Sequence, residues 1–211
     1  MKFGYWGIRG AGQVPRLVLA YCGHEFEDVK YTEKEKWFDE DKKNIGFEFP
    51  NLPYLIDGDF KFTESKAIIY YAVAKAGKTE LFGKDLKDQT VVMQLQGVYQ
   101  DAMTALIPLF WNPKWEEALE GALGKVVPKL ELMAKFYGEK EFAMGYLTLI
   151  DFVVAETSNH IEKIAPEVFA KFPFLAKTRE AFNNLPEIKT YYAKETAVKG
   201  PFTAPPAAIV F

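Results

Sequence analysis

Tyr5 is the first residue of the chain whose type and position could do chemistry. It lies in the run Lys2–Trp6, whose alternation is typical of a short β-strand, and a glycine-broken turn follows. A phenol at the end of such a strand can point its O–H into a cleft and donate a hydrogen bond to an anion. The other interpretation is an ordinary aromatic residue of the core, and the pattern leaves both open.

The stretch 49–76 carries a second set of chemically useful groups. It predicts two short strands joined by a turn at Asp57–Asp59, then a helix that begins with Ser65 as its N-cap. The N–H groups and dipole of that helix end suit a carboxylate, while the neighbouring Glu64 suits an ammonium group. This corner can therefore bind the zwitterionic end of an amino acid. Alternatively, it is an ordinary hairpin followed by an ordinary cap.

The remaining candidates point to structure rather than catalysis. The chain has two histidines and one cysteine, without the spacing of a metal site, so we predict no bound metal. Cys22 is interpreted as a buried structural thiol, and a single cysteine excludes an internal disulfide. Thr148 and Asp151 have the spacing of a helix capping box, with Asp in the place where Glu is commoner.

The order of elements separates the chain into two parts. The first 78 residues predict the order β-α-β-α-β-β-α, including a charged helix over 33–43, and the β-α-β unit implies a parallel strand pair. The residues from 86 onward predict helices almost throughout, among them one over 172–183. We therefore predict an α/β domain over 1–78, a linker over 79–85 and an all-α domain over 86–211.

Composition and charge narrow the function classes. Hydrophobic residues make up 49% of the 211, which is enough for a well-filled core. A net charge of −3 gives no electrostatic basis for binding nucleic acid or an anionic membrane. No apolar run approaches the length of a membrane span, and no basic-then-apolar leader opens the chain. These observations predict a soluble protein of a reducing compartment, with the cytoplasm as its location.

Four segments together resemble the cytosolic glutathione transferases, and the mu class most closely. They are GYWGIRG at 4–10, FPNLPYLIDG at 49–58, TESKAI at 63–68 and NPKWE at 112–116. The resemblance implies a thioredoxin-like, glutathione-binding N-terminal domain, followed by an all-helical domain that supplies the site for a hydrophobic substrate. It also implies a homodimer with glutathione as co-substrate and small hydrophobic electrophiles as partners.

The resemblance assigns roles to individual residues. Tyr5 matches the tyrosine that hydrogen-bonds the glutathione sulfur, and Pro53 matches a cis-proline. Phe49 matches an aromatic residue that inserts into the other subunit. The matched glutathione-binding residues are Trp6, Trp37, Lys42, Asn51, Leu52, Glu64, Ser65 and, contributed by the partner subunit, Asp101. The matched residues of the hydrophobic substrate site are Ile8, Met103 and Trp111.

Three features depart from the mu pattern. The segment between Trp37 and Pro50 is one residue longer than in mu enzymes. The family's lysine that meets the glycyl carboxylate is therefore matched to Lys42, with Asp41 or Lys43 as alternatives. Glu64 stands where mu enzymes have glutamine, and the shorter 30–37 segment has no counterpart of their loop arginine. Trp111 replaces a tyrosine, so activities that need its hydroxyl, such as epoxide opening, are not expected.

These residues predict a transferase that conjugates glutathione to apolar electrophiles in detoxification, with Tyr5 stabilising the thiolate. The joint presence of Tyr5, Ser65 and Asp101 favours this function. One alternative is a glutathione- or ligand-binding structural protein on the same fold. Another is a specialised glutathione-dependent isomerase or peroxidase, which would use the same activated sulfur.

Overall fold

The computed structural model describes residues 1–203 and 207–210, which form two compact units. The first unit contains Met1–Lys78 together with Pro186–Thr203, and the second contains residues 79–185 with 207–210. The predicted domain boundary at residue 78 coincides with the end of the first of the two segments that form this unit. The segment Pro186–Thr203 differs from the prediction, because it packs with the α/β unit rather than with the helical one. Phe211, the last residue of the predicted helical domain, lies outside the described residues.

A four-stranded mixed sheet forms the centre of the first unit. Its strands are β1 (Lys2–Trp6), β2 (Glu27–Tyr31), β3 (Tyr54–Asp57) and β4 (Phe60–Thr63), in the spatial order β2-β1-β3-β4. The β1–β2 pair is parallel, whereas β1–β3 and β3–β4 are antiparallel. With α1 (Gln13–Tyr21) and α3 (Ser65–Lys75), this arrangement confirms the predicted thioredoxin-like fold.

The charged helix predicted over 33–43 is present over residues 34–44, but its middle part has π-helical rather than α-helical geometry. A π-helical turn spans Lys36–Asp41 and leads into a short helix, α2 (Lys42–Asn44). Trp37 is buried beside Tyr31 and Phe47 and stacks on Tyr54, with the ring centres 6.1 Å apart. A π turn accommodates an extra residue in a helical segment. The wider turn therefore lets Trp37 remain in this aromatic cluster.

The second unit is helical. It comprises α4 (Leu86–Leu106), α5 (Trp115–Tyr137), α6 (Leu149–Ile164), α7 (Pro166–Lys171) and α8 (Pro173–Asn183), while α9 (Pro186–Ala193) belongs to the first unit. The single helix predicted over 172–183 begins instead at Pro173, and the separate α7 precedes it. Pro173 fits the first helical position, because the N–H that proline lacks would have no helical acceptor there.

A buried capping box opens α6 where the sequence predicts one. Asp151 Oδ2 accepts hydrogen bonds from the Thr148 N–H at 2.8 Å and the Thr148 hydroxyl at 3.0 Å. Its other oxygen, Oδ1, accepts from the Tyr137 hydroxyl and the Ala143 N–H. The carboxylate thus joins the start of α6 to α5 and to the loop between them.

Candidate active site

Tyr5 lies near the end of β1 with its hydroxyl engaged by the backbone. The Tyr5 oxygen accepts a hydrogen bond of 3.0 Å from the Ala11 N–H, and the side chain is 8% exposed. Burial raises the pKa of the phenol above its ordinary value and outweighs the Ala11 hydrogen bond and the Arg16 charge, which both lower it. The hydroxyl is therefore neutral at physiological pH, and its own proton can be donated to a ligand.

The turn after β1 packs closely against Tyr5 because two of its three glycines lie against the phenol. A Cβ on Gly10 would lie 2.8 Å from the Tyr5 oxygen, and one on Gly12 would lie 2.4 Å from the tyrosine ring. Only glycine lets the backbone approach the phenol this closely. The sequence indicated a turn here but not this packing role.

Arg16 is a buried contributor to the site that sequence reasoning missed. Its Nε lies 3.1 Å from Asp28 on β2, and its other nitrogens donate to the backbone oxygens of Trp6 and Ile8. The guanidinium carbon is 5.7 Å from the centre of the Tyr5 ring. The sequence carried one signal for this role, which is a charged residue within the apolar face of α1. An arginine that is fully buried needs dedicated partners for its charge.

The segment after α9 also supports the loop that carries Ala11, and no sequence pattern indicated this. The N–H groups of Arg9 and Gly10 donate to the carbonyl oxygens of Pro201 and Phe202. The Arg9 guanidinium carbon lies 4.3 Å from the centre of the Phe202 ring. These contacts explain why residues 186–203 belong to the α/β unit.

The predicted corner at 49–76 brings three of its candidate residues together. Asn51 Nδ2 donates to Glu64 Oε1 at 2.8 Å, while the Leu52 N–H donates to Asn51 Oδ1 at 2.9 Å. The Leu52–Pro53 peptide bond is cis, as the resemblance implied. Glu64 and the start of α3 therefore lie beside the backbone of Leu52.

The predicted N-cap at Ser65 is wrong by one residue. Ser65 is the first residue of α3, and Glu64 occupies the cap position with φ +78° and ψ +122°. Glu64 is the one non-glycine residue of the described chain with positive φ. A side chain in this region costs about 1–3 kcal/mol, and such strain is concentrated at functional sites.

The three residues among which the sequence left the lysine register open have different contacts. Asp41 accepts a hydrogen bond from the Tyr31 hydroxyl, and Lys43 pairs with Asp39 at 3.7 Å. Lys42 Nζ instead lies 5.4 Å from the centre of the Phe38 ring. The assignment of the glycyl-binding lysine to Lys42 stays a prediction.

Trp6 and Trp37, both predicted to line a peptide site, have different environments. The half-buried Trp6 ring packs against Tyr31 and Phe38. Trp37 is only 3% exposed, so its ring belongs to the core rather than to an open surface. The sequence alone did not predict that Trp37 is buried while Trp6 is half-buried. The burial of Trp37 depends on contacts with residues outside its own helical segment, such as Tyr31 and Tyr54 on the neighbouring strands.

Phe49 and Ile8 are the other predicted residues of the first unit. Phe49 is 71% exposed, although its own carbonyl oxygen is held by the Thr63 hydroxyl. Ile8 is half-buried in the loop after β1. An aromatic side chain this exposed on an ordered backbone is available for contact with another molecule.

The predicted residues of the helical unit occupy distinct positions. Asp101 on α4 is exposed, and its carboxylate lies 2.8 Å from Lys129 Nζ. Met103 is buried in the helical core, and its predicted role in the substrate site stays a prediction. Trp111, at the end of the 3₁₀ turn Ile107–Trp111, is 52% exposed.

Neither a cluster of metal-binding side chains nor a membrane-spanning helix is found among the described residues. Within 1–203 and 207–210, no three side chains of the metal-binding types come together as potential ligands. The helices of the same residues include none that is long and apolar enough to cross a bilayer.

A thioredoxin-like unit with a buried phenol at a strand end, joined to a helical unit, defines a two-domain glutathione-dependent class. Two family models match the chain: the glutathione S-transferase N-terminal domain over residues 1–74 and the C-terminal domain over 100–195. The chain therefore belongs to the glutathione S-transferase family and is a glutathione transferase.

The relatives indicate the class within the family. The chain is 34% identical to the class-mu 26 kDa isozyme 51 of Fasciola hepatica, covering 96% of this chain and 93% of that one. It is 32% identical to glutathione S-transferase Mu 1 of Bos taurus, with 95% and 94% covered. The crystal structure of the glutathione S-transferase Blo t 8 is similar throughout, with a TM-score of 0.85, 28% identity and 99% of each chain covered. Mu-class relatives thus agree with the class that the sequence segments resemble.

Glu64 offers a direct test of strain at the site. Glu64→Gly and Glu64→Ala both remove the carboxylate that Asn51 contacts, but only glycine adopts positive φ freely. We expect Glu64→Gly to exceed Glu64→Ala in free energy of unfolding by about 1–2 kcal/mol, as measured by urea denaturation. Equal stability of the two variants would show that the backbone at this position is unstrained.

Proposed function

We propose that this transferase activates glutathione through Tyr5 and conjugates its sulfur to apolar electrophiles. The observation that carries the proposal is the neutral, buried Tyr5 hydroxyl, whose oxygen is held by Ala11 while its proton can be donated. A thiolate suits this donor, because a hydrogen bond to a charged acceptor is roughly twice as strong as one to a neutral acceptor.

The energy that Tyr5 can supply matches what the chemistry needs. A free cysteine thiol has a pKa of about 8.5, so only a few per cent is thiolate at neutral pH. Lowering that pKa by ~2 units requires ~2.7 kcal/mol of differential stabilisation. One hydrogen bond to a charged group contributes about 1.5–3 kcal/mol, so Tyr5 accounts for most of the requirement. The thiolate then forms a C–S bond, and the leaving group departs with its electron pair.

The corner formed by Asn51, Leu52 and Glu64 supports recognition of the tripeptide. In our proposal, Glu64 binds the γ-glutamyl ammonium, while Ser65 and the N–H groups at the start of α3 bind the γ-glutamyl carboxylate. The backbone of Leu52 pairs with the central cysteinyl residue. The hydrogen bonds from Asn51 to Glu64 and from Leu52 to Asn51 support this assignment, because they preorganise the groups.

We assign the glycyl end of glutathione to the surface beside Trp6 and Lys42. Lys42 supplies a cation for the glycyl carboxylate, and the half-buried Trp6 ring supplies an apolar wall. For the electrophile, Trp111 offers an exposed apolar ring without a phenolic hydroxyl. This side chain favours aromatic and other apolar electrophiles over those that need an acid to assist ring opening.

A homodimer completes the proposed site. Phe49 is exposed on an ordered backbone, which supports its insertion into the other subunit. The partner's Asp101 then reaches the γ-glutamyl ammonium, in the role that the family resemblance gives it. The similarity to mu-class enzymes also supports a cytoplasmic location and a role in detoxification.

Removing the Tyr5 hydroxyl tests thiol activation. We expect Tyr5→Phe to lower kcat/KM for a chloronitrobenzene by about 10- to 150-fold at neutral pH, the equivalent of about 1.5–3 kcal/mol. Affinity for glutathione should fall by only about fourfold at pH 7, because lowering the pKa of the bound thiol by ~2 units from about 8.5 tightens apparent binding by that factor. The loss should shrink as pH rises above about 8.5, where the thiol ionises unaided.

Tyr70→Phe is the matched control, since it removes an exposed tyrosine hydroxyl on α3 and should leave the rate unchanged. A Tyr5→Phe rate equal to wild type at neutral pH would eliminate Tyr5 as the activator. Tight glutathione binding by the wild type without conjugation would favour a binding protein on this fold.

Replacing Phe49 tests the dimer. We expect Phe49→Ser to raise the dimer dissociation constant by about 10²- to 10⁴-fold in sedimentation experiments, because two buried rings are lost per symmetric interface. Phe49→Leu, which stays apolar, should dissociate less. Glutathione affinity should fall with dissociation, since each site then lacks the partner's Asp101. A Phe49→Ser protein that remains dimeric at all concentrations would contradict this role.

A further inference from the structure

Phe38 is an exposed aromatic residue that the proposed function leaves without a role. It lies in the π turn Lys36–Asp41 and is 46% exposed, whereas the preceding Trp37 is buried. The turn thus directs one aromatic ring into the core and the next one outward. Single exposed apolar side chains are common on protein surfaces, so the contacts of the Phe38 ring, rather than its exposure, indicate its role.

The Phe38 ring connects two residues already assigned to glutathione. Its centre lies 6.0 Å from the Trp6 ring, with the two planes at 42°. On the same ring, Lys42 Nζ lies 5.4 Å from the centre, within the range of a cation–π interaction. Phe38 therefore contacts both Trp6, which follows Tyr5 in the chain, and Lys42, which lies one helical turn after Phe38.

The other lysines of this segment are held differently. Lys36 Nζ lies 2.6 Å from Glu40, and Lys43 Nζ lies 3.7 Å from Asp39. These carboxylates compete with any anionic ligand for the ammonium groups. An aromatic face attracts an ammonium group without accepting strong hydrogen bonds, so the N–H groups of Lys42 can still bind a carboxylate.

We propose that Phe38 is a positioning residue that fixes Lys42 for the glycyl carboxylate of glutathione, an inference that rests on the proposed function of Lys42. By limiting the rotamers of a flexible lysine, the ring reduces the entropy lost when the carboxylate binds. Phe38 thereby contributes to selection for thiols that carry a negative charge at the glycyl end.

The test compares two ligands that differ only at the glycyl end, which is a carboxylate in one and an uncharged ethyl ester in the other. Reduced glutathione and its glycyl monoethyl ester are titrated into the full-length protein by calorimetry, so conjugation is not needed. We expect Phe38→Leu to weaken glutathione binding by about two- to fivefold, the range of an exposed cation–π interaction. Its affinity for the ester should equal that of wild type.

Two variants separate positioning from general packing. Phe38→Tyr keeps an aromatic face and should retain wild-type affinity for both ligands. In a Lys42→Met background, Phe38→Leu should cause no additional loss for glutathione, because the two residues act through one contact. Phe60→Leu is the matched control: it truncates an exposed phenylalanine on β4 and should change neither affinity.

Three results would overturn the inference. They are equal weakening of both ligands by Phe38→Leu, an undiminished effect of Phe38→Leu without Lys42, and equal wild-type affinity for glutathione and its ester. A failure of thiol activation is recognised separately, as unchanged turnover in Tyr5→Phe, and does not alter these binding ratios.

Discussion

The hydrogen bond from the Ala11 N–H to the Tyr5 oxygen is the interaction on which the site depends. It fixes the phenol at the end of β1 and engages the Tyr5 oxygen as an acceptor, so that the hydroxyl proton is available to a ligand. Gly10 and Gly12 let the backbone come close enough to make this bond, and Arg16 anchors the intervening segment through backbone oxygens. Burial keeps the phenol neutral, so the chain builds a donor rather than a base.

The corner formed by Asn51, Leu52 and Glu64 shows a second constraint, which is a strained backbone held in place by hydrogen bonds. Glu64 has positive φ at the cap of α3, and Asn51 holds its carboxylate. A strained residue persists only where its surroundings fix it. The same bonds therefore maintain both the backbone conformation and the carboxylate that our proposal assigns to the ammonium group.

Local patterns predicted much of this molecule, and long-range contacts account for what they missed. Alternation and turn residues were sufficient for the four strands, and the segment FPNLPYLIDG identified the cis bond before Pro53. The cap lies at Glu64 rather than at Ser65, and the Glu64 carboxylate is contacted by Asn51, thirteen residues earlier. The return of residues 186–203 to the first unit and the burial of Arg16 likewise depend on partners that no local pattern specifies.

The most direct measurement of the central claim is the pKa of the glutathione thiol when bound, obtained from thiolate absorbance during a pH titration. In the wild-type protein, the thiol pKa should fall by ~2 units from about 8.5, and in Tyr5→Phe most of that decrease should disappear. An equally lowered thiol pKa in both proteins would contradict the account, because the stabilising charge or dipole would then lie elsewhere.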